Sequence, residues 1–217
     1  YGAAGADEIH AGLGADLVYG AGDADEIHGD KGRDHLEGGE GDDALHGGGG
    51  FDTLLGQAGN DLIDGGDKAD AIQGGEGADT VYGGGGRDSI AGEGGADLLR
   101  GGDGDDLLFG GTGANTVFGD GGDDLIDLRE GETTATGGAG ADVYAVALGA
   151  GLDTILDFEI DLDRIRIESG AAAFDQLDIT LRGDRTYITY GLSTDVVALV
   201  GVTPGELDAS DFLFGPA

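Results

Sequence analysis

Large aliphatic residues recur at every ninth position along most of the chain. The column begins at Ile9 and keeps its phase to Ile126, and Ala135 and Tyr144 occupy its last two places. An amphipathic helix would need apolar residues three or four positions apart, and an ordinary strand would need strict alternation. A nine-residue period instead predicts a repeated unit of strand and turn, in which one side chain per unit points into a shared core.

The polar positions keep the same register. Sixteen consecutive nonapeptides fill residues 2–145 without an insertion or a deletion, and their pattern is G-G-x-G-x-D-x-U-x, where U is a large aliphatic residue. Residues 74–82, for example, read GGEGADTVY. Positions 7–9 predict a short strand whose position 8 points inward. The glycines among positions 1–6 predict a turn, because glycine adopts positive φ angles readily.

This pattern resembles the RTX, or haemolysin-type, calcium-binding nonapeptide repeat. The resemblance implies an all-β fold, a right-handed parallel β-roll with two nonapeptides per coil and a strand spacing of about 4.8 Å between coils. It also implies calcium ions as cofactor, held between the turns of repeats n and n+2 by both position-6 aspartates and by main-chain carbonyls of positions 1–4. Calcium is a hard cation that takes about six or more oxygen ligands, which suits this set.

The resemblance assigns metal-ligand roles to the position-6 column and to the turn glycines. The aspartates of that column are Asp7, Asp16, Asp25, Asp34, Asp43, Asp52, Asp61, Asp70, Asp79, Asp88, Asp97, Asp106, Asp124 and Asp142. Asn115 is counted with them because it offers a carbonyl oxygen, whereas Thr133 offers less. The glycines predicted as main-chain ligands are Gly38, Gly39, Gly41, Gly47, Gly48, Gly49, Gly50, Gly74, Gly75, Gly77, Gly83, Gly84, Gly85, Gly86, Gly101, Gly102 and Gly104.

The two edges of the predicted roll are unequal. The even-numbered repeats carry aspartate in all eight turns, from Asp16 to Asp142, which gives seven intervals. The odd-numbered repeats carry it from Asp7 to Asp97, which gives five intervals before two other residues interrupt the row. We therefore expect about a dozen calcium ions, with the odd edge failing first near its C-terminal end.

The nine-residue period stops at Val146, and we predict two parts of the chain on that basis. Residues 1–145 form the repeat domain and residues 146–217 form a C-terminal β cap. Within the cap, residues 177–190 predict a hairpin, and residues 211–214 resemble the end of an uncleaved type I secretion signal. A solenoid needs a cap over its last coil, and the aromatic residues suited to that role are Phe158, Phe174, Phe212 and Phe214.

Residues 151–167 resemble the segment that closes the roll in serralysin-type proteases and alginate epimerase modules. The segment carries Asp153, Asp157, Asp161 and Asp163. These side chains allow one more calcium ion, although turns and solvated strand edges explain them more simply.

Composition narrows the functional classes. The chain has 217 residues, of which 50 are glycine, and its 45 acidic and 10 basic residues give a net charge of −35. This charge disfavours nucleic acid and anionic membrane surfaces as partners. The absence of cysteine and the few histidines argue against a zinc or copper array. An acidic disordered linker would share this composition, but it would not need an aliphatic residue at every ninth position.

We expect the protein to fold only when calcium binds, because the stacked aspartates repel one another and one inward side chain per repeat is a thin core. The resemblance implies a bacterial protein that passes unfolded through a type I secretion channel and folds outside the cell. No catalytic motif such as HExxH is present, so we do not expect an enzyme within these residues. The chain starts at Tyr1 and is expected to be part of a longer protein.

Two alternative functions remain open from the sequence. The chain could be a substrate-binding or positioning module, with a glycan as ligand, beside the upstream catalytic domain of a secreted protease, lipase or alginate epimerase. It could also be the calcium-stiffened end of an adhesin or surface-layer protein.

Three histidines occupy position 9 of alternate repeats, and we expect them to stack on one outer face. They are His10, His28 and His46. One interpretation is a patch that binds a transition metal or responds to pH. The other is a solvated polar ladder, which is the simpler view because the column continues with Asp64 and Tyr82.

Overall fold

The computed structural model of the chain describes residue 2 and residues 4–147, 151–167, 173–190 and 196–215. The strands in the repeat array are β1 (Glu8–His10), β2 (Leu13–Gly14), β3 (Leu17–Gly22), β4 (Glu26–His28), β5 (Lys31–Gly32), β6 (His35–Glu40), β7 (Ala44–Gly50), β8 (Thr53–Ala58), β9 (Leu62–Asp67), β10 (Ala71–Glu76), β11 (Thr80–Gly85), β12 (Ser89–Gly95), β13 (Leu98–Asp103), β14 (Leu107–Phe109), β15 (Thr112–Gly121), β16 (Leu125–Asp127), β17 (Glu132–Ala139) and β18 (Val143–Val146).

The strands after the array are β19 (Leu152–Ile155), β20 (Arg164–Ile167), β21 (Leu177–Arg182), β22 (Arg185–Tyr190), β23 (Val196–Val200) and β24 (Phe212–Phe214). Two 3-10 turns, Phe174–Gln176 and Ala209–Asp211, lie between them. These turns, the only helical elements in the described part of the chain, are too short to cross a lipid bilayer.

Strands in the array pair in parallel with the strand one coil later. Ile63 of β9 lies opposite Val81 of β11, and Ile72 of β10 lies opposite Ile90 of β12. Odd-numbered and even-numbered repeats therefore build two separate sheets that face each other. The predicted all-β parallel β-roll with two nonapeptides per coil is confirmed.

The position-8 side chains form the hydrophobic core between the two sheets. From Val18 to Tyr144, each of them is 5 % exposed or less. Burying an aliphatic side chain of this size stabilises the fold by about 2 kcal/mol. Because each repeat contributes one such side chain, the core is two side-chain rows wide, one row from each sheet.

Most strands of the array are longer than the sequence pattern predicts. β9 covers positions 7–9 of one repeat and the first three positions of the next. Within this extension, Gly66 lies opposite Gly48 on one side and Gly84 on the other. The prediction that positions 1–3 belong to the turn is wrong for these longer strands, because a glycine backbone supplies the same ladder donors and acceptors as any other residue.

The position-4 residues show why the turns need glycine. Gly86 has a φ of +146°, and a Cβ atom there would lie 2.3 Å from the carbonyl carbon of Lys68 in the preceding coil. Lys68 and Asp23 occupy position 4 in their own repeats and have φ angles of +84° and +70°. Both side chains therefore accept the left-handed backbone that glycine adopts at position 4 of other repeats.

Parallel stacking continues beyond the last nonapeptide. β19 pairs with β17 and β20 pairs with β18, which adds a ninth coil to the eight coils of the array. β23 and β24 then pair in parallel with β19 and β20. The predicted hairpin is present: β21 and β22 pair antiparallel, with Arg182 opposite Arg185 and β22 beside β23.

Aromatic side chains close the C-terminal end of the roll. Phe158 and Phe212 are buried, and the ring of Phe158 lies 6.2 Å from that of Tyr144 in the last nonapeptide. The ring of Phe174 lies 5.3 Å from that of Phe212. Phe158 therefore packs against the last nonapeptide, and Phe174 packs against Phe212.

Alanine substitutions at Gly85 and Gly86 test whether position 4 requires glycine for its positive φ angle. We expect Gly86→Ala to lower the free energy of unfolding by about 1–3 kcal/mol, because alanine is strained at this φ angle and would contact the preceding coil. Gly85→Ala is the matched control, since nothing lies within 4 Å of its added Cβ, and it should change stability by less than about 0.5 kcal/mol. Urea unfolding in saturating calcium measures both, and equal losses would contradict the argument.

Candidate metal-binding turns

The position-6 aspartates form two rows, one along each edge of the roll. In every interval the backbone N–H of one aspartate donates to Oδ1 of the residue one coil later, at 2.7–3.0 Å. Asp52 donates in this way to Asp70, and Asp70 donates to Asp88. The structure thus brings together the aspartates that the sequence pairs.

The second carboxylate oxygen of these aspartates has no hydrogen-bond partner. Among the residues that the structure describes, thirteen such Oδ2 atoms are buried and unpaired, those of Asp16, Asp25, Asp34, Asp43, Asp52, Asp61, Asp70, Asp79, Asp88, Asp97, Asp106, Asp124 and Asp142. Buried polar atoms in folded proteins are nearly always satisfied. A periodic series of unsatisfied anionic oxygens therefore indicates a cationic ligand along both edges.

Main-chain oxygens face the same spaces. A Cβ atom built on Gly65 would lie 2.6 Å from the carbonyl oxygen of Gly83 and 2.7 Å from Oδ2 of Asp70. The position-1 glycines among the predicted ligands repeat this arrangement, with Oδ2 of their own aspartate 2.3–2.9 Å from the added Cβ; they are Gly38, Gly47, Gly74, Gly83 and Gly101. Position 1 is glycine in these repeats because oxygen atoms occupy the space that a side chain would need. An all-oxygen set of this kind fits calcium.

Burial makes the charged form of these carboxyls unfavourable. It raises the pKa of Asp70 and Asp124 to about 7, and that of Asp61 and Asp106 to about 6, from an ordinary 3.8. Repulsion from the aspartates one coil away raises these pKa values further, while the N–H donated to Oδ1 lowers them. The rows therefore favour a bound proton or a bound cation over an uncompensated charge.

The odd row changes character at Asn115. Its Oδ1 accepts the N–H of Asp97 at 2.9 Å, as an aspartate would, but its Nδ2 donates to the carbonyl oxygen of Gly111 at 3.1 Å. At Asn115, an amide nitrogen that donates a hydrogen bond therefore takes the place of the Oδ2 atom that has no partner in the aspartates of the row. In the next odd turn, Thr133 presents a buried Oγ1 without a hydrogen-bond partner in the described structure.

Both rows extend beyond the nonapeptides. The N–H of Thr133 donates to Oδ1 of Asp153 at 2.9 Å, and the N–H of Asp142 donates to Oδ1 of Asp163 at 3.0 Å. The nine-residue register misses this role because the spacing grows from 18 to 20 and 21 residues. The signal that could have found it is the D-x-U triplet, which both aspartates retain as Asp-Thr-Ile and Asp-Arg-Ile.

The four aspartates considered for one further calcium ion do not form a single cluster. Asp153 continues the odd row and Asp163 the even row, and Oδ2 of Asp163 accepts the N–H of Glu159 at 2.8 Å. The carboxylate of Asp157 accepts the N–H groups of residues 137 and 138, and Asp161 donates its N–H to Asp211. These contacts tie the ninth coil to the last nonapeptide and to the cap.

A parallel β-roll whose turns present two buried rows of paired aspartates defines a class of calcium-binding repeat proteins. The pattern of the RTX calcium-binding nonapeptide repeat matches residues 1–36, 19–54, 37–70, 64–99 and 100–135. The chain belongs to this family, as its sequence predicts. Family membership supports calcium as the ligand.

Two solved structures are similar to the chain at a distance. The extracellular lipase LipA from Serratia marcescens is 18 % identical, with a TM-score of 0.34 over 88 % of this chain, which spans 38 % of the lipase. The AlgE6R3 subunit of the Azotobacter vinelandii mannuronan C5-epimerase is 27 % identical, with a TM-score of 0.30 over 71 % of this chain and 80 % of that one. No curated protein matches the sequence.

In the absence of divalent cations, we expect acidification to stabilise the roll. The pKa of Asp70 and Asp124 in the folded state, about 7, exceeds the ordinary 3.8. Their contribution to stability is therefore fully present below about pH 4 and is lost as the pH rises through about 7. Far-UV circular dichroism of the metal-free chain should show more β-structure near about pH 5 than near about pH 8.

Saturating calcium serves as the control for this experiment. In saturating calcium, acidification should instead reduce the β-structure, because protons compete with calcium for the same oxygens. Metal-free protein with less β-structure at the lower pH would contradict the view that the rows are buried, mutually repelling carboxyls.

Proposed function

We propose that the chain is a calcium-binding module of a secreted bacterial protein, and that it folds when calcium fills its turns after export. The observation that carries the proposal is the series of thirteen buried Oδ2 atoms without a hydrogen-bond partner in the described structure. A calcium ion in each interval would be coordinated by carboxylate oxygens that no protein donor reaches.

The proposed ligands are the aspartates of adjacent coils together with main-chain carbonyls of the glycine-rich turns. The even row from Asp16 to Asp142 would supply seven sites, and the odd row from Asp7 to Asp97 would supply five. The resulting count is about a dozen ions. Asn115 then marks the end of the strong odd sites, since its amide group is already bonded within its own turn.

Charge explains why folding should depend on calcium. About a dozen divalent ions would neutralise about 24 of the 35 net negative charges. Each site adds about 1.4 kcal/mol of stability when free calcium exceeds its dissociation constant about tenfold. Extracellular calcium modules bind at about 10⁻⁴–10⁻³ M, so sites of this class stay empty in the cytosol and fill outside the cell.

The division into residues 1–145 and 146–217 describes two roles in this proposal. The C-terminal part would leave a type I secretion channel first and nucleate the roll. Its contacts support that role, because β23 extends one sheet beside β19 and β24 extends the other, where Phe212 lies opposite Ile165. The N–H of Asp161 donates to Oδ1 of Asp211, which anchors the last strand to the ninth coil.

A binding module is the second candidate function, and one surface feature favours it. A shallow groove of about 580 Å³ lies on the outer face of the even sheet, lined by Ala91, Phe109, Asp127 and Arg129. A partly exposed aromatic ring beside an ion pair is the mixture of groups found in small-ligand sites. The acidic surface suits a neutral glycan better than a polyuronate, because like charges repel.

A calcium titration tests conditional folding. We expect the metal-free chain near neutral pH to be largely disordered and to gain β-structure cooperatively as calcium rises to about 10 mM, about tenfold above the weakest class of extracellular site. Circular dichroism follows the strands, and analytical ultracentrifugation follows the compaction. Magnesium is the control and should have little effect, since it demands octahedral geometry and dehydrates reluctantly. A chain that is already folded in chelator would sink conditional folding and favour the binding module.

Reciprocal substitutions test the proposed ligands. Asp70→Asn should retain the bond from the N–H of Asp52, as Asn115 does for Asp97, but should remove about two calcium ions because Asp70 belongs to two intervals. Asn115→Asp should add about one ion on the odd edge. Isothermal titration calorimetry gives the stoichiometry.

Asp67→Asn is the matched control for Asp70→Asn, because it removes the same charge from an exposed side chain in the same nonapeptide. Unchanged stoichiometry in Asp70→Asn, or an equal loss in the control, would show that the rows do not bind calcium as proposed.

A further inference from the structure

The outer face of the odd sheet carries a stack of three imidazole rings. His10, His28 and His46 lie opposite one another on β1, β4 and β7. Their ring centroids are 4.5 and 4.8 Å apart, and the planes differ by 7° and 11°. One side chain per coil, at one strand spacing, thus places three nitrogen ligands in a column on the surface.

Carboxylates accompany this column because position 7 faces outward beside position 9 on the same strand. Nε2 of His28 lies 3.1 Å from Oε1 of Glu26, and Nε2 of His10 lies 3.3 Å from Oε1 of Glu8. One ligand atom from each of Glu26, His28 and His46 lies within 4.8 Å of the other two. Two imidazoles and a carboxylate from adjacent coils therefore surround one small volume.

We propose that Glu26, His28 and His46 bind a first-row transition-metal dication of the zinc class. Imidazole nitrogen suits zinc, copper and nickel, and a carboxylate completes a common three-residue set whose remaining position is open to water. Glu26 is exposed and the two histidines are half-buried, so the ion can enter from solvent. The stacked rings need only turn about their side-chain bonds to aim both nitrogens at one ion.

Two further carboxylates lie near the column. Oδ2 of Asp30 lies 3.7 Å from Nδ1 of His10, and Oδ2 of Asp64 lies 4.0 Å from Nδ1 of His46. These distances exceed hydrogen-bond range, but the negative charges favour a cation at this face. The bound ion would join β4 to β7 on the outer face, where its nitrogen ligands distinguish it from the oxygen-only turns along the edges.

The solvated-ladder interpretation describes the rest of the column but does not account for these three side chains. Beyond His46 the column passes to Asp64 and Tyr82, and at Arg100 the guanidinium pairs with Asp120. Only around His28 do two imidazoles and a carboxylate converge within the described residues.

The test uses the calcium-saturated chain, so that calcium already occupies the turns and zinc does not bind there. Isothermal titration with Zn²⁺ should give one site per chain. His28→Asn and His46→Asn should each weaken it at least about tenfold, since each removes a direct ligand. Both side chains lie on the outer face, and circular dichroism in calcium confirms that the variants fold.

His35→Asn is the matched control. His35 lies on the other sheet and its Nε2 contacts Oε1 of Glu37 at 2.8 Å, so it has the same acidic partner and spacing but no histidine in the adjacent strands. This variant should retain wild-type affinity. Cu²⁺ provides a second readout, because electron paramagnetic resonance shows hyperfine coupling to two nitrogens in the wild type and to one in either single variant. Equal zinc affinity in all variants, a zinc signal that falls as calcium rises, or a copper spectrum without nitrogen coupling would overturn the proposal.

Discussion

The structure depends on one repeated contact, the hydrogen bond from the N–H of a position-6 aspartate to Oδ1 of the aspartate one coil later. This bond sets the 18-residue register of both sheets and draws like charges together at the spacing of adjacent strands. It also uses one carboxylate oxygen and leaves the other buried without a partner. The geometry that organises the coils is therefore also the geometry that requires a positive counter-charge.

The same contact explains the glycine content and the thin core. Oxygen atoms of Asp70 and Gly83 occupy the space where a side chain on Gly65 would lie, so the turns exclude larger residues. Each repeat buries only one aliphatic side chain, so the stabilisation from hydrophobic burial is small. It must offset both the cost of the buried negative charges and the conformational entropy that a glycine-rich chain loses on folding. The calcium ions that we propose would supply the counter-charge, and the stability of the fold would then depend on the cation concentration of the compartment.

Two kinds of ligand chemistry are separated by the geometry of the roll. The edges offer carboxylate and carbonyl oxygens in a buried row, which suits a hard cation such as calcium. The outer face of the odd sheet offers the imidazoles of His28 and His46 beside Glu26, which suits a softer one. Because residues eighteen positions apart stack in one column of a sheet, repeated substitution at an outward position creates a multi-residue surface without changing the core.

The sequence alone determined the coil, the core column, the two aspartate rows, the hairpin around Gly183 and the interruption of the odd aspartate row at Asn115. A strict period reveals these features because residues one coil apart differ by a constant number. The tertiary structure decided the features that do not follow from a constant residue spacing. Most strands extend into positions 1–3 of the next repeat, and Oδ2 is the aspartate oxygen without a hydrogen-bond partner in the described structure. The amide of Asn115 donates to the carbonyl oxygen of Gly111. The rows also continue to Asp153 and Asp163 after the spacing has changed, because stacking follows backbone pairing and not residue count.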